Sequence, residues 1–233
     1  MSTRKGQWLT ESELAPSRKE VVLRTLRGEI LSGALAPGHP IKDVELAARL
    51  EVSITPVREA VTQLIEEGLI EALPNKRRRV TTLSLEAATE LMDVLGVLLC
   101  ATLQRALPNL PGEPLARLRA AVDEYRPASR ARDKHVTRSA MDDFVHILTA
   151  AAANRELANL VDGVATRSYR LIGLDDASPL WVVWRESLDA VVELLEAGRG
   201  LRAVIRLEDH FATVVATLRE HGDSAGVLLG PTG

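Results

Sequence analysis

Apolar residues recur at helical spacing most clearly within residues 52–68, where Val57, Ala60, Val61 and Leu64 fall on one face and Thr55, Arg58 and Thr62 on the other. Ser53 stands at an N-cap position, and Pro56 lies in the first turn, where its missing N–H removes no helical bond. Residues 42–50 carry the pattern of a second short helix immediately upstream. Before it, Ser17 and Glu20 have capping-box spacing and open a helix striped with Val22, Leu23, Leu26 and Ile30, which Gly33 ends. Downstream, residues 69–73 and 79–82 read as two short strands joined by a turn at 74–78. Three helices followed by a hairpin predict a winged helix-turn-helix over residues 17–82, preceded by a polar arm at 1–16.

Beyond Val80 the periodicity is helical throughout. Ser84 caps a helix over 85–107 dense in Leu91, Leu95, Leu98, Leu99 and Leu103, which a Pro- and Gly-containing stretch at 108–114 breaks. Further helices are expected at 113–130, 134–152, 155–173, 179–197 and 200–221, with starts at Asn154 and Ser178-Pro179 and stops at Gly198 and Gly222. The predicted fold class is therefore mainly α. A winged helix-turn-helix with a small two-stranded wing precedes an all-α bundle of about six helices over 83–222, and a tail follows at 223–233.

Composition narrows the class. At 233 residues, with 46% hydrophobic and 26% charged residues, the chain is of ordinary globular type and suits one or two domains. No run of about 18 consecutive apolar residues is present, so no membrane span is expected. The single cysteine, Cys100, lies in an apolar helical run, is expected to be buried and inert, and fits a reducing cytoplasm. Net charge is −3, but residues 1–82 hold 13 Lys and Arg against 11 Asp and Glu, leaving 16 against 21 for the rest. A mildly basic first part on an acidic second part suits nucleic acid at one end.

The chemistry follows that division. A helix N-terminus bearing Ser53, Thr55 and Arg58 suits a major groove: the N–H groups face phosphate, Arg58 can fork onto guanine, and the hydroxyls reach phosphate or base edges. Lys76, Arg77, Arg78 and Arg79 at a hairpin tip suit phosphates or a narrow minor groove. No nucleophile–base pair, general-acid carboxylate or phosphate loop has a recognisable spacing, so neither an enzyme nor a cofactor is expected.

The run Leu35-Ala36-Pro37-Gly38, Glu45-Leu46-Ala47, residues 52–60 and residues 64–70 resembles the DNA-binding domain of the GntR family of bacterial regulators over roughly residues 21–80. Two departures stand out. Arg77 takes the place of a wing-turn glycine, and Ile54 replaces a base-reading arginine, which leaves Arg58 as the principal candidate for guanine. Phe144, Asn154, Ala197-Gly198, Ala203 and His210 give the second part a resemblance to the FCD domain of the FadR subfamily, where effector binding and dimerisation occur.

The resemblance implies a homodimeric, cytoplasmic repressor on a palindromic operator in double-stranded DNA, controlled by a small-molecule effector. Many such domains hold a divalent metal through one Asp and three His. Without a gap, those positions fall here on Met141, Val145, Leu188 and His210, and two further pocket positions on Leu95 and Leu99. The pocket Leu95, Leu99, Met141, Val145, Leu188 and His210 is thus expected to be apolar and metal-free. A one-residue gap would instead offer Asp142, His146 and His210 as metal ligands.

Overall fold

The computed structural model describes residues 16–169 and 178–221. Helix α1 (Arg18–Ser32) begins with the capping box: the Glu20 N–H donates to Ser17 Oγ at 3.2 Å and the Ser17 N–H to Glu20 Oε2 at 2.6 Å. Gly33 ends it in the left-handed region at φ 82°, which a Cβ would oppose. Helices α2 (Asp43–Arg49) and α3 (Ile54–Glu66) follow. Strands β1 (Ile70–Ala72) and β2 (Arg78–Val80) pair antiparallel, Glu71 opposite Arg79. Residues 39–41 bond to the free edge of β2 through Val80 N–H to His39 C=O and Ile41 N–H to Arg78 C=O, both at 2.9 Å. This third edge of the wing shows no alternation in the sequence.

Leu26, Val57, Ala60, Val61, Leu64 and Leu69 are fully enclosed and form the centre of the first core. Burying each large aliphatic side chain contributes roughly 1.5–3 kcal/mol. The ion pairs Arg27–Glu67 and Arg49–Glu29 tie α1 to α3 and α2, and their partial exposure limits each to about 1 kcal/mol.

A second, separate core fills the helical part: α4 (Leu85–Ala106), α5 (Glu113–Ala131), α6 (Lys134–Ala152), α7 (Arg155–Ser168), α8 (Leu180–Glu196) and α9 (Gly200–His221). Ser84, Asp133 and Asn154 each cap a helix with a side-chain oxygen, as expected for Ser84 and Asn154. Helix α4 packs against α6, α7 and α9, while α5 and α8 complete the ring. Gly96 is needed in α4 because a Cβ there would come within 2.8 Å of Phe211 on α9. Gly198 ends α8 at φ 68°. The expected extension of α7 through 170–173, the stop at Gly222, most of the N-terminal arm and the tail lie outside the described residues.

The membrane reading needs refinement. Leu85–Asn109 is long and apolar enough to span a bilayer by length and composition alone, with mean hydropathy 1.4. In the bundle, Leu91, Met92, Leu95, Leu99 and Leu103 of this helix face the protein core instead.

Candidate nucleic-acid interface and effector region

Ser53, Thr55 and Arg58 all stand exposed on the first turns of α3. Ser53 occupies the N-cap position, yet its hydroxyl accepts no bond from the helix and stays open beside the N-terminal N–H groups. The Arg58 side chain is 65% exposed, with Nε 3.3 Å from Asp43 Oδ2. Asp43, the first residue of α2, is only 8% exposed, and its other oxygen lies 2.8 Å from a terminal nitrogen of Arg78 on β2. One nearly buried carboxylate therefore holds a cation from the recognition helix and another from the wing. Without two cations its desolvation would cost several kcal/mol, so the three groups form one unit. A guanidinium already held in place also loses less rotamer freedom on meeting a base. The sequence did not single out Asp43, because a carboxylate in a helix's first turn normally reads as a solvated partner of the helix dipole.

The wing corrects the expected four-cation tip. Of its four cations only Lys76 and Arg77 lie exposed at the turn, with no ion pair among the described residues. Arg78 and Arg79 belong to β2, where the pairing register turns Arg79 toward Glu71, Nε to Oε1 at 2.8 Å, and Arg78 toward Asp43. Arg77, which takes the place of a wing-turn glycine, has extended backbone at φ −73° and ψ 151°. The left-handed residues of the turn are Asn75 and Lys76, at φ 63° and 60°. Asn tolerates that conformation better than other non-glycine residues.

Leu95, Leu99, Met141, Val145, Leu188 and His210 all point into the bundle and are each less than a tenth exposed. His210 is fully enclosed, edge-on to Trp184 with ring centroids 4.3 Å apart and beside Phe211 at 5.0 Å. Burial and the nearby Arg206 cation lower its pKa to about 3, so the imidazole is neutral at physiological pH. Among the described residues, neither ring nitrogen of His210 has a hydrogen-bond partner, nor has Trp184 Nε1. Trp184 was not predicted, since an aromatic on an apolar face carries no signal of its own. Met141 also borders a small cavity of about 20 Å³ with Tyr125, Thr137 and Tyr169.

Asp142 and His146 are exposed on the opposite side of α6. They line an open cleft of about 1040 Å³ between α1 and the α6–α7 pair, where partial desolvation raises the Asp142 pKa while a hydrogen bond from Tyr169 opposes the rise. A one-residue step turns a helical side chain by about 100°, so the inward Met141 and Val145 leave Asp142 and His146 facing out. His210 lies in the core, and among the described residues no three His, Cys, Asp or Glu side chains gather into a possible metal site. Cys100 is half-buried, with its thiol pushed up to about 11 by burial and by Glu208.

A winged helix-turn-helix that presents cations from helix and wing, joined to a helical bundle, defines a DNA-binding transcription regulator. The family model for bacterial regulatory proteins of the gntR family matches residues 18–80, and that for the FCD domain matches residues 90–213. The chain belongs to the GntR family, with an FCD domain as its second part. It is 25% identical over 221 residues to the HTH-type transcriptional repressor RspR of Escherichia coli K12, which spans 90% of this chain and 93% of the relative. Its fold matches that of a Rhodococcus sp. RHA1 protein described as a GntR transcriptional regulator, at TM-score 0.74 and 23% identity, covering 88% of this chain and 99% of that one. Escherichia coli McbR/YncC matches at TM-score 0.72 and 20% identity, covering 89% and 100%. RspR and the Rhodococcus protein are both named as regulators of transcription.

Arg58→Ala is expected to weaken operator binding by about 1–3 kcal/mol and to relax preference at one base pair. Asp43→Asn keeps Arg58 but removes its anchor, so the ratio of operator to random-DNA affinity should fall about tenfold, or ~1.4 kcal/mol. Affinity for random DNA should hold or rise, because a negative charge is lost. Fluorescence anisotropy on both DNAs at fixed salt measures this, and an unchanged ratio in the Asp43 variant would contradict the anchoring role.

His210 generates a pH prediction. An unfolded histidine titrates near ~6.5, whereas the folded one titrates at about 3. The unfolded chain therefore binds more protons within that window, and stability falls as pH drops through it. The urea midpoint should decline less steeply between pH 6.5 and 4.5 in His210→Phe than in the unaltered protein. Equal slopes would mean that His210 is not buried in its neutral form.

Proposed function

We propose that this chain is a homodimeric, sequence-specific repressor acting in the cytoplasm on a palindromic operator, with its DNA affinity set by a small molecule held in the helical domain. Ser53, Thr55 and Arg58 enter the major groove, with Lys76 and Arg77 on the flanking backbone or minor groove. Arg78 and Arg79 contribute through their carboxylate partners and through the field around the wing. The name of the relative RspR supports repression over activation.

The observation that carries the effector reading is the unpartnered polar edge inside an otherwise apolar core, formed by both nitrogens of His210 and by Trp184 Nε1. A buried donor or acceptor left unpaired costs about 1–3 kcal/mol, and a ligand able to pair with one recovers it. Leu95, Leu99, Met141, Val145 and Leu188 supply the surrounding apolar wall. A neutral imidazole offers no charge to a carboxylate, so the ligand expected is an apolar body, acyl, aromatic or terpenoid-like, with one uncharged polar group. The bundle is closed over these residues, so binding selects a slightly parted arrangement of helices. It thereby changes how two DNA-binding domains match half-sites about one helical turn apart.

A second reading has its own support. The close approach of Phe211 to Gly96 and the enclosure of all six pocket residues favour a DNA-binding dimer with no small-molecule effector. Native mass spectrometry of freshly purified protein separates the two. The effector reading predicts a dimer carrying extra organic mass and no metal. One divalent ion per chain would contradict the metal-free pocket. A bare dimer whose DNA affinity no apolar metabolite changes would establish the second reading.

A further inference from the structure

The open cleft between α1 and the α6–α7 pair adjoins the small cavity of about 20 Å³ behind it, because Leu31, Arg138 and Tyr169 border both. That volume admits one oxygen-sized group. The chamber is lined by the hydroxyl-bearing Tyr125, Thr137 and Tyr169 and by the cations Lys134 and Arg138, and among the described residues no carboxylate borders it. Tyr125, on α5, is 2% exposed, and its hydroxyl has no hydrogen-bond partner among the described residues. The positive charge of Arg185 on α8 acts on the same residue. A buried hydroxyl left unpaired destabilises the fold, and a ligand oxygen that reaches it removes that cost. The chamber therefore suits an oxygen of an anionic group.

Its mouth has the opposite character. Asp142 on α6 and Asp162 on α7 stand exposed, the charges of both act on Tyr169, and the Tyr169 hydroxyl donates a hydrogen bond to Asp142. Neither carboxylate has an ion pair among the described residues. Arg138 and Asp142 are four residues apart on one side of α6, the spacing at which such side chains ordinarily pair, yet they form no ion pair. Elsewhere facing charges close on one another, as Arg27 does on Glu67 in the same cleft and Arg119 on Asp189 in the bundle. Opposite charges held apart around a cavity are the complement of a dipolar guest.

We propose that the junction of α1, α6 and α7 binds an α-amino acid or a closely related zwitterion. One carboxylate oxygen enters the chamber toward Tyr125 and Arg138, the ammonium rests on Asp142 and Asp162, and the side chain lies in the wide cleft. The site is separate from the pocket around His210, although Met141 borders the chamber and Val145 the cleft. Arg24, Gly28 and Leu31 of the cleft belong to the DNA-binding part and the remaining groups to the bundle, so a seated ligand bridges the two. They already meet beside α3, where a Cβ on Gly68 would come within 3.0 Å of the Arg167 side chain. The guest holds α1 against α6 and α7 and thereby changes how α3 is presented to DNA.

Isothermal titration calorimetry on the full chain without DNA, with each standard L-amino acid as titrant in turn, tests the site. At least one should bind. Its N-acetyl derivative, which lacks the ammonium, and its primary amide, which lacks the carboxylate, should each bind about tenfold more weakly or worse. Asp142→Asn should weaken binding by a similar factor. Tyr125→Phe should weaken it about fivefold while leaving the thermal midpoint of the free protein unchanged or raised, because the change removes only an unpaired hydroxyl. His210→Phe should bind as the unaltered protein does.

No heat from any standard amino acid, equal binding of the N-acetyl derivative, or full affinity in Tyr125→Phe would each overturn the proposal. Binding lost in His210→Phe but kept in Asp142→Asn would also overturn it and place the ligand in the core pocket. That pocket is tested separately by native mass spectrometry, so failure of the junction site leaves the proposed function standing.

Discussion

The burial of the inward face of α4 is the constraint around which the helical domain is arranged. Its inward stripe, from Leu91 to Leu103, is the surface against which α6, α7 and α9 close. Its first residue follows the last wing strand after only four connecting residues, 81–84. A displacement of α4 within the bundle is therefore passed to the wing through a short tether. Gly96 sharpens the coupling, because the backbone of α4 meets Phe211 with no intervening side chain, and Phe211 adjoins His210 in sequence. The helix that leads out of the wing is thus the one packed against Phe211 beside His210, the route that the proposed effector control would use.

At the DNA-facing end a different force dominates. Arg58 and Arg78 come from elements far apart in sequence, and both would be mobile cations if left alone. Asp43 holds them together at the cost of its own solvation, converting free charge into fixed geometry. Glu71 does the same for Arg79. Arg58, Arg78 and Arg79 are therefore held in fixed places by carboxylates, while Lys76 and Arg77 are the exposed cations at the turn of the wing.

Local signals were legible in the sequence. The capping box at Ser17, the caps at Ser84 and Asn154, the apolar face of α3 and the glycine stops at Gly33 and Gly198 each act within a few residues of themselves, and the structure follows them closely. What escaped was non-local. Nothing near Asp43 announces its burial, which depends on a strand 35 residues later. The strand register that withdraws Arg78 and Arg79 from the tip is set by pairing with 70–72 and 39–41 together. Inside the bundle, residue spacing could place Met141 and Val145 on one face of α6, and resemblance could single them out. Neither could reveal that His210 lies against Trp184 with no hydrogen-bond partner among the described residues.

In-vitro selection of random double-stranded DNA on the purified protein bears most directly on the claim that a two-fold dimer reads sequence through α3. Selection should converge on an inverted repeat whose half-sites lie about one helical turn apart, each with a guanine essential for binding. Convergence on a single asymmetric site, or no enrichment over the starting pool at physiological salt, would contradict it.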